Sequence, residues 1–188
     1  MRDRIKEILL ESIQVKEELL RSSIVQILDI AELAIESLKK NGKVILFGNG
    51  GSAADSQHIA AELVGRFKKD RGAIAAVALT TNTSILTSLA NDYGYEIVFA
   101  KQIEALGQKN DIAIGISTSG KAKNVAAGIK QAKKMGIKTV ALTGGDGGDL
   151  AKLADVSLLV PSAITARIQE AHITIGHIIC ELIEQALS

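Results

Sequence analysis

The sequence predicts an α/β fold in which helices cover both faces of a five-stranded parallel sheet, and three observations carry that expectation. Five short apolar runs recur along the chain, helical patterns separate them, and longer helical segments stand at both ends. Strand–helix alternation favours parallel pairing, because each crossover must return the chain to the same end of the sheet and can bury its apolar stripe on the way.

From Arg2 to Lys40 the apolar residues Ile5, Ile8, Leu9 and Ile13, then Ile24, Ile27, Leu28, Ala31, Ile35 and Leu38, recur mostly at helical spacing. Ser22 or Ser23 is a candidate cap for a second helix there, and Asn41-Gly42 stops it. The first strand is Val44 to Phe47, with further runs at Ile74 to Leu79, Ile112 to Ile116, Thr139 to Leu142 and Val156 to Val160. Helical patterns lie between them at Ala53 to Phe67, Ser84 to Ala90, around Glu96 to Leu106, Asn124 to Met135, and briefly at Leu150 to Leu153. Pro161-Ser162 turns the chain into a last helix from about Thr165 to Leu187. Nothing in the composition divides the chain, so residues 1–188 read as one domain, with residues 1–40 a helical extension. The two terminal helices exceed what one sheet must cover. Surplus apolar helix faces pack against another subunit, so an oligomer is expected.

Charge and cysteine usage narrow the function classes. The net charge is +1, from 22 basic and 21 acidic side chains, which gives no field to attract nucleic acid or an anionic membrane. A single Cys180 excludes an internal disulfide, the charged start lacks a signal-peptide core, and no apolar run is long enough to span a bilayer. A cytoplasmic protein with no nucleic-acid and no membrane partner is expected.

Ligands of an open parallel sheet bind beyond the carboxyl ends of its strands. Three of the segments that follow strands are rich in glycine or hydroxyls: Gly48-Asn49-Gly50-Gly51-Ser52, Ser117-Thr118-Ser119-Gly120-Lys121 and Thr143-Gly144-Gly145-Asp146-Gly147-Gly148. A fourth reads Thr80-Thr81-Asn82-Thr83-Ser84. Free N–H groups at helix starts suit a phosphate, and hydroxyls with Asn suit a polyol, so a sugar phosphate meets both needs. The competing reading is that these residues only make turns and caps.

Two other nucleotide patterns fit less well. Gly48-x-Gly50-x-x-Ala53 matches a dinucleotide fingerprint, yet the second strand ends in Thr80 and Thr81 where an acid should meet the ribose, and Asp70 precedes that strand. Gly115 to Lys121 has P-loop spacing, but Ala122 replaces the hydroxyl that would reach magnesium.

Four polar side chains stand on otherwise apolar helix faces: His58, Glu62, Gln169 and His177. Imidazole, carboxylate and amide oxygen together suit zinc or a similar divalent ion. His58 and Glu62, four apart, share one helix face. Gln169 and His177 are eight apart, about 12 Å along a helix, so one ion bridges them only at the limit of reach unless subunits share the site. His172 is a second-layer partner or a structural core histidine, and Asp55 either orients a substrate oxygen or is an ordinary first-turn acid.

On the stretches GNGGSAADSQHIAAELVGRF, ANDYGY, GISTSG, TGGDGG and ARIQEAHITIGH, the chain resembles the phosphoheptose isomerases of the sugar-isomerase (SIS) domain family over nearly its whole length. The resemblance implies a three-layer, Rossmann/flavodoxin-like sandwich, a homotetramer with active sites at subunit interfaces, and one zinc ion per subunit on His58, Glu62, Gln169 and His177. It implies substrate contacts at Asn49, Gly50, Gly51, Glu62, Asn91, Asp92, Ser117, Thr118, Ser119 and Gln169, to which the residue reading adds Ser52 and Asp55. The family commonly has serine where this chain has Ala122, a lost contact of about 1 kcal/mol to phosphate. Lys121 stands beside it as a replacement charge.

The implied reaction interconverts sedoheptulose 7-phosphate and D-glycero-D-manno-heptose 7-phosphate through a cis-enediol, the first step of nucleotide-activated heptose biosynthesis for lipopolysaccharide or another glycan. Glu62 is the candidate base at carbon and His177 the acid at oxygen. The alternative is a non-catalytic relative on the same fold that binds a sugar phosphate or the replication initiator. That relative lacks the glutamate and the final histidine, and both are present here.

Overall fold

A computed structural model describes all 188 residues. The chain runs α1 (Arg2–Ser22), α2 (Ile24–Lys39), β1 (Val44–Gly48), α3 (Gly51–Val64), β2 (Ala76–Ala78), α4 (Thr83–Tyr93), a 3-10 turn (Tyr95–Ile97), α5 (Val98–Leu106), β3 (Ile112–Ser117), α6 (Lys123–Lys134), β4 (Lys138–Gly144), α7 (Leu150–Leu153), β5 (Val156–Val160) and α8 (Thr165–Leu187). The five strands are all parallel, in the order β2-β1-β3-β4-β5.

Period-two alternation divides the strand side chains between two cores. Val44 and Leu46 of β1, Ile112, Ile114 and Ile116 of β3, and Val140 and Leu142 of β4 pack under α1, α2, α3 and α8. Ile45, Phe47, Ala113 and Ala141 face the opposite layer of α4, α5, α6 and α7. Small residues let α6 approach that second face. A methyl at Gly115 would come within 2.9 Å of Val125 Cγ1, and one at Gly128 within 2.7 Å of the Phe47 ring.

The expected elements are all present, with shifted ends. The edge strand β2 covers only Ala76–Ala78, because Ile74 turns its N–H to the Leu63 carbonyl instead of to a strand. Ser23 does mark the α1–α2 boundary, but it gives no side-chain cap, and the Ser22 hydroxyl donates to the Glu18 carbonyl. At the amino ends of β1 and β3, the buried Asp111 carboxylate accepts from the Lys43 amide and from Lys43 Nζ at 2.6 Å.

Helices α3 and α8 run side by side in the same direction. Gly51 lies against Gln169, Ile59 against Gly176, and the segment after α3 against Glu184. A methyl at Gly176 would stand 2.6 Å from Ile59 Cδ1, so the glycine permits the approach. Past α3, the buried Glu184 carboxylate accepts from the amides of Phe67, Lys68 and Lys69 and from Arg71 Nε at 3.0 Å. Burial would raise its pKa, but those backbone donors and the guanidinium outweigh it and hold the carboxyl below its ordinary range.

A carboxylate with a depressed folded pKa contributes stability above its unfolded pKa, and that stability is lost as pH falls through the folded value. Glu184→Gln should therefore lower the melting temperature at pH 7, with the deficit narrowing below about pH 4, where the native carboxylate is itself titrated. Thermal melts of both proteins across the acid range check this, and a deficit that does not change with pH would refute it.

Candidate active site

The strand order reverses at β1 and β3, which opens a crevice at their carboxyl ends. Two of the glycine- and hydroxyl-rich loops meet there. After β1, Gly50 takes φ 55°, a left-handed conformation suited to glycine, and α3 begins at Gly51. After β3 the chain turns through the Gly120 N–H to Ser117 carbonyl bond, with Gly120 at φ 64°. Between them lies a cavity of about 180 Å³ lined by Asn49, Ser52, Ser117, Thr118, Ser119 and Gln169, with Ile116 and Ala122. The first turn of α6 opens beside it, and its cap residue Ala122 offers no side-chain acceptor. The Lys123 and Asn124 amides that open α6 are therefore not consumed by a cap and suit an anion.

Asn124 was missed by sequence reasoning. Its amide exchanges two 2.8 Å hydrogen bonds with that of Asn49, and its Oδ1 also accepts from the Val125 N–H. This pair ties the β1 loop to the start of α6. The only sequence signal was an amide at a helix start, which reads equally well as a cap.

The other loops have structural duties. Gly147 and Gly148 lie backbone-to-backbone on Gly120: a methyl on Gly120 would stand 1.9 Å from the Gly147 carbonyl oxygen. The Leu150 N–H donates to the Gly120 carbonyl. Asn82 caps α4 by accepting from the Ile85 N–H. Asn91 and Asp92 are exposed at the end of α4, hydrogen-bonded to each other at 2.8 Å, and within one chain they do not line the cavity.

Further along α3 and α8, His58, Glu62 and His177 converge, with one ligand atom from each within 4.8 Å of the others. The two histidine Nε2 atoms face each other at 2.9 Å, and His58 Nε2 lies 3.3 Å from Glu62 Oε1. Two imidazole nitrogens on one tetrahedral zinc ion stand roughly 3.3 Å apart, given Zn–N bonds near 2.0–2.1 Å. Two His and one Glu thus fit a divalent ion with a coordination position left open. The Phe67 ring lies 5.6 Å from that of His177 and walls one side.

Gln169 does not join this cluster within one chain. It lies against Gly51 and in the cavity, eight residues or about 12 Å up α8 from His177. His172 is fully buried, with Nε2 3.1 Å from the Thr143 carbonyl, and burial pushes its pKa down to about 4. It is a neutral core residue bonded to the end of β4. Asp55, one turn before His58, has a buried Oδ2 without a partner. Burial pushes its carboxyl up to about 6, against an opposing pull from His58.

A family model described as the SIS domain matches residues 9–144. The chain is 54% identical to the phosphoheptose isomerase of Aquifex aeolicus, covering 98% of this chain and 97% of that protein. It is 53% identical to that of Sulfurimonas denitrificans, covering 100% and 97%. Among solved structures, the phosphoheptose isomerase of Neisseria gonorrhoeae superimposes with a TM-score of 0.93 at 44% identity, covering 98% of each chain. The corresponding protein of Francisella tularensis gives 0.94 at 37% identity, covering 97% of each.

An acid with a raised folded pKa lends stability that is present below its unfolded pKa and lost as pH rises through the folded value, here about 6. In metal-free protein, Asp55→Asn should raise stability at pH 7.5 by about 1–2 kcal/mol, after discounting for its partial exposure. The gain should vanish near pH 4. Denaturant melts at the two pH values measure it, and an equal gain at both would contradict the buried-carboxylate account.

Proposed function

This chain belongs to the SIS family and, within it, to the phosphoheptose isomerases, and from that premise we propose how its residues carry the reaction. The reaction interconverts sedoheptulose 7-phosphate and D-glycero-D-manno-heptose 7-phosphate, the entry to nucleotide-activated heptose. The observation that carries the assignment of roles is the convergence of Glu62 with His58 and His177 on the helix pair that also borders the hydroxyl-lined cavity.

Ser117, Thr118 and Ser119, with Ser52 and the amides at the start of α6, hold the phosphate. Asn49, Gly50, Gly51 and Gln169 meet the sugar, and Asn91 and Asp92 contact it where a second chain closes the site. In the ketose-to-aldose direction Glu62 takes a proton from C1 as the C1–C2 double bond forms, and His177 gives one to O2. The cis-enediol then loses the O1 proton to His177, and Glu62 returns its proton to C2 on the same face, so the atoms balance. Each such group contributes about 100- to 10,000-fold when well placed. A divalent ion, assigned as one zinc per subunit on His58, Glu62 and His177, would supply Lewis acidity that stabilises the enediolate. Glu62 must free one carboxylate oxygen to accept the C1 proton. Anchoring at the distant phosphate supplies the orientation that the proton transfers need.

The assembly in this reading is a homotetramer. Ile5, Leu9, Ile13 and Leu20 of α1 and Ile24, Val25 and Leu28 of α2 are exposed apolar residues on the helical extension of a single SIS domain. Gln169, apart from the cluster in its own chain, becomes the fourth ligand when it is contributed by another copy. No helix is long and apolar enough to cross a membrane, and the proposed location is the cytoplasm.

Turnover of sedoheptulose 7-phosphate by metal-free and zinc-loaded protein tests these roles. Glu62→Gln should cost at least about a hundredfold in kcat with the tetramer intact by sedimentation, and retained turnover would remove Glu62 from the mechanism. Restoring a hydroxyl at the cavity with Ala122→Ser should lower KM roughly fivefold, the worth of one hydrogen bond near 1 kcal/mol. An unchanged KM would place the phosphate away from α6.

A further inference from the structure

The largest feature of the α3–α8 pairing that these roles leave unused is a buried guanidinium. Arg71 Nη2 donates to the carbonyl of Glu62 at 3.0 Å, and Nη1 donates to those of Leu63 and Gly72 at 2.9 Å each. Its Nε donates to the Glu184 carboxylate at 3.0 Å, and the two side chains are only 6% and 2% exposed. Carbonyls in the last turn of a helix have no intrahelical partner, so Arg71 closes the end of α3 from within the fold. Glu184 stands seven residues, about two turns, past His177 on α8. A single planar group therefore bonds the main chain of one member of the cluster and the helix that carries another.

We propose that Arg71 is a positioning residue for the His58–Glu62–His177 ion site, holding Glu62 and His177 in ligand register by bridging the end of α3 to Glu184 of α8. The inference rests on reading that cluster as a metal site. Lysine cannot replace Arg71, because an ammonium presents a point charge where the planar fork reaches four groups at once. Opposite-helix placement follows from packing, but a ligand set needs side-chain atoms held to fractions of an ångström, and groups behind the ligands set that tolerance.

The test is Co(II) binding to metal-free full-length protein, followed by the visible absorption band and by calorimetry, beside circular dichroism of the metal-free form. Arg71→Lys and Glu184→Gln should each weaken Co(II) binding roughly tenfold to a hundredfold and alter the band. Lys43→Met removes the partner of the buried Asp111 carboxylate at the amino end of the sheet, away from the cluster, and supplies a control for stability alone. It should lower the melting temperature and leave Co(II) binding unchanged. Folded Arg71→Lys with native affinity and band would overturn the proposal, and so would an equal loss of affinity in Lys43→Met. His177→Ala separates the two levels: if it binds Co(II) like the native protein, the metal-site reading itself fails. If it loses binding while the Arg71 and Glu184 variants do not, only the positioning role fails.

Discussion

The parallel pairing of α3 with α8 is the constraint on which the rest of the molecule depends. Helix α3 leaves the switch point of the sheet, and α8 returns over the same face more than a hundred residues later. Their contact at Ile59 and Gly176 brings them close enough for short side chains to meet. The same pairing places Gln169 over Gly51 beside the hydroxyl-lined cavity and sets His58 against His177. One helix interface thus builds both a wall of the cavity and the His58–Glu62–His177 cluster, and a slip of one residue would rotate each of these side chains by about 100° away from its partner.

Much of this was legible in the sequence, for reasons that differ by residue. The strands were readable because Val44 to Phe47 and Ile112 to Ile116 are continuous apolar runs, as burial on both faces requires. His58 and Glu62 were readable as a pair because helical periodicity alone puts them on one face. That His177 would join them, and Gln169 would not within one chain, is a statement about where two distant helices cross, and no local pattern encodes it. Arg71 and Glu184 were hidden for a related reason. Arg71 sits in a charged run, Lys68 to Arg71, that reads as solvated surface, and Glu184 looks like any polar position on a terminal helix. Only the fold puts the two together, out of water.

The loops teach a second lesson about composition. Three glycine-rich loops looked alike, yet they do different work. Gly50 permits a turn with positive φ at the cavity, whereas Gly147 and Gly148, also at positive φ, press against Gly120, where a methyl on Gly148 would stand 2.5 Å from the Gly120 carbonyl oxygen. Hydroxyl content separates them better than glycine content does, since Ser52, Ser117, Thr118 and Ser119 line the cavity and the Gly145–Gly148 segment has no hydroxyl. Asn49 and Asn124 add a lock between the two cavity loops, with each amide's donor and acceptor both engaged.

The bracing of Gly120 by Gly147 and Gly148 has a consequence for ligand capture. A loop held by backbone contact and by the Leu150 N–H has little conformational freedom left to lose, so an arriving anion meets a cradle already in shape. Ordering this loop then adds little to the cost of binding. A rigid template of this kind favours inhibitors that are themselves rigid, because flexibility in the ligand brings an entropic penalty that the protein has already removed from its own side.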